Sequence, residues 1–156
     1  AYSDELGMAA TVGEWQDVDF DTILDSGCSR HVAPMSCVPG YHIQETQLSR
    51  AGHKFQVANG ETVPNLGDVV TNLGLETEGG EGRTVASTFA VCDMTSPLMS
   101  VHQICQNGHT CIFTKDHALV VSSDGEVLAK FPHKNGAYRA TLKLKAPSSP
   151  FGGQGR

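Results

Sequence analysis

Asp25, Ser26 and Gly27 form the segment of the chain with the clearest capacity for chemistry. They follow Ile23 and Leu24, whose aliphatic and β-branched character predicts a strand that ends at the aspartate. Gly27 permits a tight turn in which no side chain would fit. The pattern therefore predicts one carboxylate at the head of a buried strand, available for acid and base catalysis. An ordinary surface turn is the alternative, because Asp, Ser and Gly are common in turns.

One aspartate supplies only half of a catalytic carboxylate pair, in which two like charges share a proton. The chain contains a single Asp-Ser-Gly and no Asp-Thr-Gly, so the second copy must come from another chain. A length of 156 residues agrees, since it suits one domain and is too short for two complete catalytic lobes. A symmetric homodimer would place two copies of the loop face to face on a two-fold axis.

Three ordered blocks of the sequence, between about Phe20 and Leu144, resemble the retropepsins and most closely the protease region of copia-type retrotransposon polyproteins. The first block is similar to a Leu-Asp-Ser-Gly-Ala-Ser core followed by His, the second to the flap region, and the third to an apolar-apolar-Ser-Val-x-Gln-Leu segment. The blocks are ILDSGCSRH at 23–31, VANGETVPNLG at 57–67 and PLMSVHQIC at 97–105.

The resemblance implies an all-β, closed-barrel-like retropepsin fold with one short helix and one lobe per chain. It implies an aspartic endopeptidase that cleaves a retroelement polyprotein, with Asp25 of each protomer as the catalytic pair. Ser26 would hydrogen-bond across the homodimer, and Gly27 and the backbone near Ser29 would contact the substrate; Cys28 completes this loop. No cofactor is implied.

Two residues depart from the usual family pattern. Cys28 stands where Ala is usual, which places a thiol beside the catalytic carboxylate and predicts sensitivity to oxidation. Ser100 stands where many retropepsins carry Gly, although copia-type members also have Ser. Neither departure affects the assignment of Asp25.

The segment Lys54 to Thr71 predicts a β-hairpin, because Phe55 and Val57 alternate with polar residues and Asn-Gly favours a hairpin turn. We interpret its end as the flap that closes over an extended peptide bound as an added strand. A purely structural hairpin is the alternative. The flap residues are predicted to be Val57, Ala58, Asn59, Gly60 and Glu61.

The remaining pattern predicts many short strands and one helix, from Leu98 to Asn107, which ends before Gly108. The Gly-rich, acidic stretch from Leu73 to Arg83 predicts an exposed, mobile connection. We divide the chain into an N-terminal arm at 1–16, a protease domain at 17–145 and a Pro/Ser/Gly-rich tail at 146–156. The further strands are predicted at 17–24, 84–92, 111–114, 118–122, 126–131 and 137–144.

The amino-acid composition limits which binding partners and which cellular compartment we expect for the protein. A formal net charge of −6 argues against a direct nucleic-acid surface, and no apolar run is long enough to span a membrane. Five cysteines without a Cys-x-x-Cys pair predict free thiols in a reducing compartment. No signal peptide is visible at the N-terminus. We therefore expect an intracellular, cytoplasmic protein, with retroelement particles as one setting, that binds an extended peptide or polyprotein.

Cys28, His31 and Cys37 offer an alternative zinc site, but no second ligand pair with zinc-site spacing follows, so we predict no metal. His31 is instead expected to be buried or to line a pocket. His102 is expected to be a packed or surface residue, and Trp15 to pack or to anchor the arm. A protease-derived domain that dimerises and binds peptide without cleaving it remains the second interpretation of the whole chain.

Overall fold

A computed structural model of the chain describes residues 14–56, 60–76 and 82–148, and it is all-β with little helix. Within these ranges there are two short α-helices, α1 (Gln47–Arg50) and α2 (Val101–Gln106), and a 3-10 turn at Met35–Cys37. The strands are β1 (Val18–Asp25), β2 (Val32–Ala33), β3 (Lys54–Gln56), β4 (Thr62–Glu76), β5 (Gly82–Cys92), β6 (Leu98–Ser100), β7 (Thr110–Phe113), β8 (His117–Val121), β9 (Val127–Lys134) and β10 (Ala137–Leu144).

The strands form one hydrogen-bonded sheet in the order β3-β4-β5-β2-β6-β1-β10-β9-β8-β7, and β4 additionally pairs with β10. β6 lies between β1 and β2, parallel to the first and antiparallel to the second. The chain that leaves β1 must therefore cross the end of β6 to reach β2. That crossing segment contains the predicted catalytic loop.

The core lies between the strands and is built on three fully buried aromatic side chains, Phe20, Phe89 and Phe131. Phe20 and Phe89 meet edge to face with ring centroids 5.3 Å apart, an arrangement that adds to the burial of their apolar area. Phe20 belongs to β1 and Phe89 to β5, so this contact fixes the strand that carries Asp25 against the opposite side of the fold.

Several predicted elements differ from the structure. The prediction of an exposed connection from Leu73 to Arg83 was wrong at both ends: β4 continues to Glu76, because Leu73 and Leu75 are buried in the core, and β5 begins at Gly82. The part of this prediction at 77–81 lies outside the described residues. The helix is shorter than predicted, since Leu98–Ser100 is strand β6 and α2 begins at Val101. The sequence indicated neither β2, which follows the predicted catalytic segment, nor α1.

The predicted ends of the domain are partly described. Trp15 packs on the core, its ring lies edge-on to Tyr41 at 6.0 Å, and its Nε1 donates to the Leu144 carbonyl at 3.2 Å. Asn72 donates from Nδ2 to the Ala146 carbonyl at 2.9 Å. Residues next to both predicted boundaries therefore contact the folded domain. No helix in the described ranges is long and apolar enough to cross a membrane.

Candidate active site

Asp25 is the last residue of β1, and it pairs in parallel register with Ser100 at the end of β6. The preceding residue, Leu24, is only 5% exposed and belongs to the core, whereas Asp25 is half-buried. Strand alternation therefore places one side chain in the core and the next, a carboxylate, at the rim of the fold. This arrangement confirms the predicted strand before the aspartate, which ends one residue later than expected.

The Asp25 carboxylate is held by its own turn. Gly27 donates its backbone N–H to Asp25 Oδ1 at 2.7 Å, a short bond typical of an ionised acceptor. A Cβ on Gly27 would lie 3.2 Å from the same oxygen, which is tighter than ordinary contact. This close approach favours glycine here. A left-handed backbone is not the reason, since Gly27 is not among the glycines with positive φ.

Ser100 holds the Asp25 loop from the buried side. Its hydroxyl donates to the Cys28 carbonyl at 2.7 Å and accepts the Gln103 N–H at 3.0 Å, so it also caps the N-terminus of α2. Its backbone N–H donates to His31 Nδ1 at 2.8 Å. Ser100 is fully buried, so each of these bonds replaces a contact with water that the fold excludes.

His31 closes the loop on the side of β2. Its ring is 3% exposed and packs against Phe89 with centroids 5.0 Å apart. Its backbone N–H donates to Gln103 Oε1 at 2.8 Å, and its carbonyl accepts the Ala90 N–H at 2.9 Å. Burial, together with the charge of Arg30, lowers the pKa of His31 to about 4. The expectation that His31 is a buried residue is confirmed.

The Cys28 thiol lies beside the carboxylate, as predicted, with Sγ 3.8 Å from the Asp25 carbonyl oxygen. Burial and the negative charge of Asp25 raise its pKa to about 11. Because the thiolate is the form that reacts with peroxide, a protonated thiol is a poor target. The structure thus argues against the expectation that Cys28 makes the loop sensitive to oxidation. All five cysteines are free thiols.

The exposed face of the loop carries Ser26, Gly27 and Ser29, the residues expected to meet the facing loop and the substrate. In a single chain, the roles of Ser26 across a dimer and of Gly27 and Ser29 toward a peptide stay predictions. The structure shows that Ser100 and His31 hold the buried face of the loop, whereas its other face is exposed to solvent.

The predicted flap begins from a real hairpin. β3 and β4 pair antiparallel up to Gln56 and Thr62, so residues 57–61 join them. Val57, Ala58 and Asn59 lie outside the described residues; Gly60, with φ +88°, and Glu61 are exposed. Phe55 and Val63 pack on a small cluster of buried residues, Val32, Ala90 and Cys92. The hairpin therefore packs on a cluster shared by β5 and β2, the strand that follows the predicted catalytic loop.

A β-bulge lies at the base of this hairpin, between Asn65 and Gly67. Asn65 Oδ1 accepts the Gly67 N–H at 2.9 Å, and Gly67 has φ +135°. A Cβ there would lie 2.5 Å from the Gln44 carbonyl oxygen, so only glycine fits. The bulge lies where β4 stops pairing with β3 and begins pairing with β5, so it separates the hairpin from the rest of the strand.

An ion pair joins the two predicted functional segments. Arg30 Nη2, in the predicted catalytic loop, lies 3.3 Å from Asp68 Oδ1 on β4, directly after the bulge. Both side chains are about one third exposed, so the pair contributes little to stability. Its effect is positional, because it ties the loop to the strand that carries the hairpin.

The sequence indicated the Asp25 carboxylate but not the residues that hold its loop in place. Gln103 and Ser100 stood in the third resembling block, but nothing in their spacing showed that they hold the loop. His102, by contrast, is exposed as expected. Among the described residues, no group of three His, Cys, Asp or Glu side chains is placed to hold a metal ion, and Cys28, His31 and Cys37 form no such group.

Comparisons of the chain with protein-family models, with curated proteins and with solved structures found no match.

Proposed function

We propose that the chain is half of a homodimeric, retropepsin-like aspartic endopeptidase that cleaves a retroelement polyprotein. The observation that carries the proposal is the geometry of the Asp25 loop. The Asp25 carboxylate lies at the end of a strand and accepts a hydrogen bond from the Gly27 amide. The loop is held on its buried side by Ser100 and is exposed on its other side. An ordinary surface turn has no need of a buried Ser and His to hold it. Pairing of two such loops supplies the second carboxylate.

The arrangement of strands supports the retropepsin-like fold. β4, β5, β2, β6, β1 and β10 are neighbours in that order, and the β10–β4 pairing joins the last to the first. We interpret this ring of six strands as the closed-barrel-like lobe that the resemblance implies, because a closed ring of paired strands leaves no free edge. β7, β8 and β9 extend from it as an antiparallel meander.

The proposed chemistry follows from the paired loops. Two facing Asp25 carboxylates cannot both ionise at low cost, so the pair holds one proton. The ionised member takes a proton from a bound water, which attacks the scissile carbonyl while the protonated member donates its proton to the carbonyl oxygen. The tetrahedral adduct then breaks its C–N bond: the leaving nitrogen receives the proton taken from water, and a hydroxyl proton of the adduct returns to the other carboxylate. No covalent intermediate with the protein is formed. The β3–β4 hairpin covers the peptide and excludes bulk water from the reacting atoms.

The test is hydrolysis of reduced, unfolded casein between pH 3 and pH 8, with product ends identified by mass spectrometry. We expect cleavage by wild type and none by the nearly isosteric Asp25→Asn chain. Asp116→Asn, at an exposed aspartate outside the loop, is the matched control and retains cleavage. Equal cleavage by Asp25→Asn would sink the proposal. Peptide binding without cleavage by dimeric wild type would establish the non-catalytic interpretation instead.

A further inference from the structure

We propose that His31 is a positioning residue for the reaction: its neutral imidazole accepts the Ser100 amide proton and thereby holds the Asp25 loop in its active geometry. This inference rests on the proposed peptidase function. It assigns a role to a buried histidine that the acid–base chemistry of Asp25 does not itself use.

The ring is placed with little freedom to move. Main-chain bonds fix His31 at both its N–H and its carbonyl, to Gln103 on α2 and Ala90 on β5. Phe89 covers one face of the ring. Gln103 is itself held, because its Nε2 donates to the Thr88 carbonyl at 3.2 Å. The imidazole is therefore oriented before any substrate binds.

The Ser100 contact requires one tautomer. Ser100 offers an N–H, so His31 Nδ1 at 2.8 Å must present a lone pair, and the ring proton must lie on Nε2. An imidazolium would place a second N–H against the Ser100 N–H and break the contact. The surroundings oppose that charged state: Phe89, Ser100 and Gln103 are uncharged, and Arg30 is a cation.

One further titratable group shares this space. His109 lines the same cavity of about 120 Å³ as His31, and its Nδ1 is buried without a hydrogen-bond partner. A second imidazole adds no negative charge that would favour protonation of the first. The described groups that act on the ring thus keep it neutral from about pH 5 upward, since its pKa is lowered to about 4.

The contact reaches Asp25 by two routes through Ser100. Across the parallel strands, Ser100 is the register partner of Asp25. Through its hydroxyl, it holds the carbonyl of Cys28, three residues along the loop. Loss of the Nδ1 acceptor leaves the buried Ser100 N–H without a partner, which destabilises the residue that holds the loop at both points. We therefore expect catalysis to suffer more than peptide binding.

The test compares His31→Leu, which removes the acceptor, with His31→Asn, whose Oδ1 can occupy the place of Nδ1 without a titratable ring. With casein-derived peptides as substrate, we expect His31→Leu to lower kcat by about tenfold or more with a smaller change in KM. We expect His31→Asn to restore most of kcat. His102→Leu, on the exposed side of α2, is the matched control and leaves both constants unchanged.

A second readout does not depend on activity. Long-range ¹H–¹⁵N NMR of wild type is expected to show His31 protonated at Nε2 alone down to about pH 5, with slow exchange of the Ser100 amide. A proton on Nδ1, or full kcat in a folded His31→Leu chain, would overturn the proposal. If wild type cleaves nothing, the proposed function fails, and the NMR result still decides whether the His31–Ser100 contact exists.

Discussion

The Asp25 carboxylate, the predicted catalytic group, is closely contacted by its own loop. One carboxylate oxygen accepts the Gly27 amide at 2.7 Å, and a Cβ on Gly27 would make a tight 3.2 Å contact with it. The same amide that holds the oxygen stabilises negative charge on it. The glycine therefore serves both the position and the charge of the carboxylate.

Gly27→Ala tests this contact. The added methyl would press on Asp25 Oδ1 from 3.2 Å, so we expect kcat/KM to fall by about ten- to a hundredfold, as small displacements of reacting groups do. The loop is exposed on this side, so we expect the free energy of unfolding to change by less than about 1 kcal/mol. Peptide hydrolysis and urea unfolding measure the two effects.

Gly82→Ala is the matched control, because a Cβ there meets open space. We expect that variant to retain full activity. Unchanged hydrolysis by Gly27→Ala would contradict the tight contact.

Cys28 gives a prediction that depends on pH. Its thiol is protonated well above neutrality, because burial and Asp25 raise its pKa from an ordinary 9.0 to about 11. Near pH 8 the reactive thiolate is then about a hundredfold rarer than for an ordinary thiol. We expect iodoacetamide to label Cys28 slowly at pH 8 and faster as the pH rises toward 11.

Peptide mapping by mass spectrometry compares Cys28 with the exposed Cys105 in the same sample. We also expect Cys28→Ala and wild type to lose activity equally in peroxide. Labelling of Cys28 as fast as Cys105 at pH 8 would show that the thiol is not protected.

At the scale of elements, local pattern predicted strands well where side chains alternate, as in the segment Ala137 to Leu144, whose bounds were confirmed. It failed where tertiary burial overrides composition. The glycines and acidic residues after Leu73 indicated a loop, but Leu73 and Leu75 enter the core from β4, and pairing with β5 continues to Glu76. Such burial depends on a partner strand that a short window cannot show.

The bulge at Gly67 is an element-scale feature with a direct test. In Gly67→Ala the methyl would lie 2.5 Å from the Gln44 carbonyl oxygen, and φ +135° is a conformation that side chains rarely adopt. We expect the free energy of unfolding to fall by at least about 2 kcal/mol, measured by urea denaturation. Gly82→Ala again serves as control, with a change within about 0.5 kcal/mol. Equal stability of the two variants would refute the clash.

At the scale of the molecule, the position of Asp25 at the end of a strand could be predicted from the sequence. The contacts of Ser100, His31 and Gln103 that hold its loop could not. The resembling blocks placed the loop, the hairpin and the segment around Ser100 in order, but only the fold brings the first and third together. β6 lies between β1 and β2, so residues about 70 positions apart in sequence, such as His31 and Ser100, become hydrogen-bonded neighbours. Long-range pairing of this kind has no local signal.

The homodimer is the remaining requirement of the mechanism, and subunit mixing tests it. If each active site takes Asp25 from both protomers, a chain with Asp25→Asn forms inactive mixed dimers with wild type. After equilibration with a threefold excess of the Asn chain, random pairing predicts that activity falls to about a quarter of that of wild type alone. Hydrolysis of a fluorogenic peptide at fixed wild-type concentration measures the loss.

A wild-type dimer joined into one chain by a Gly/Ser linker is the control, since its halves stay together and we expect it to keep its activity. Unchanged activity of unlinked wild type in the mixture, once isotope-labelled chains have shown that protomers exchange, would mean that one chain suffices for catalysis.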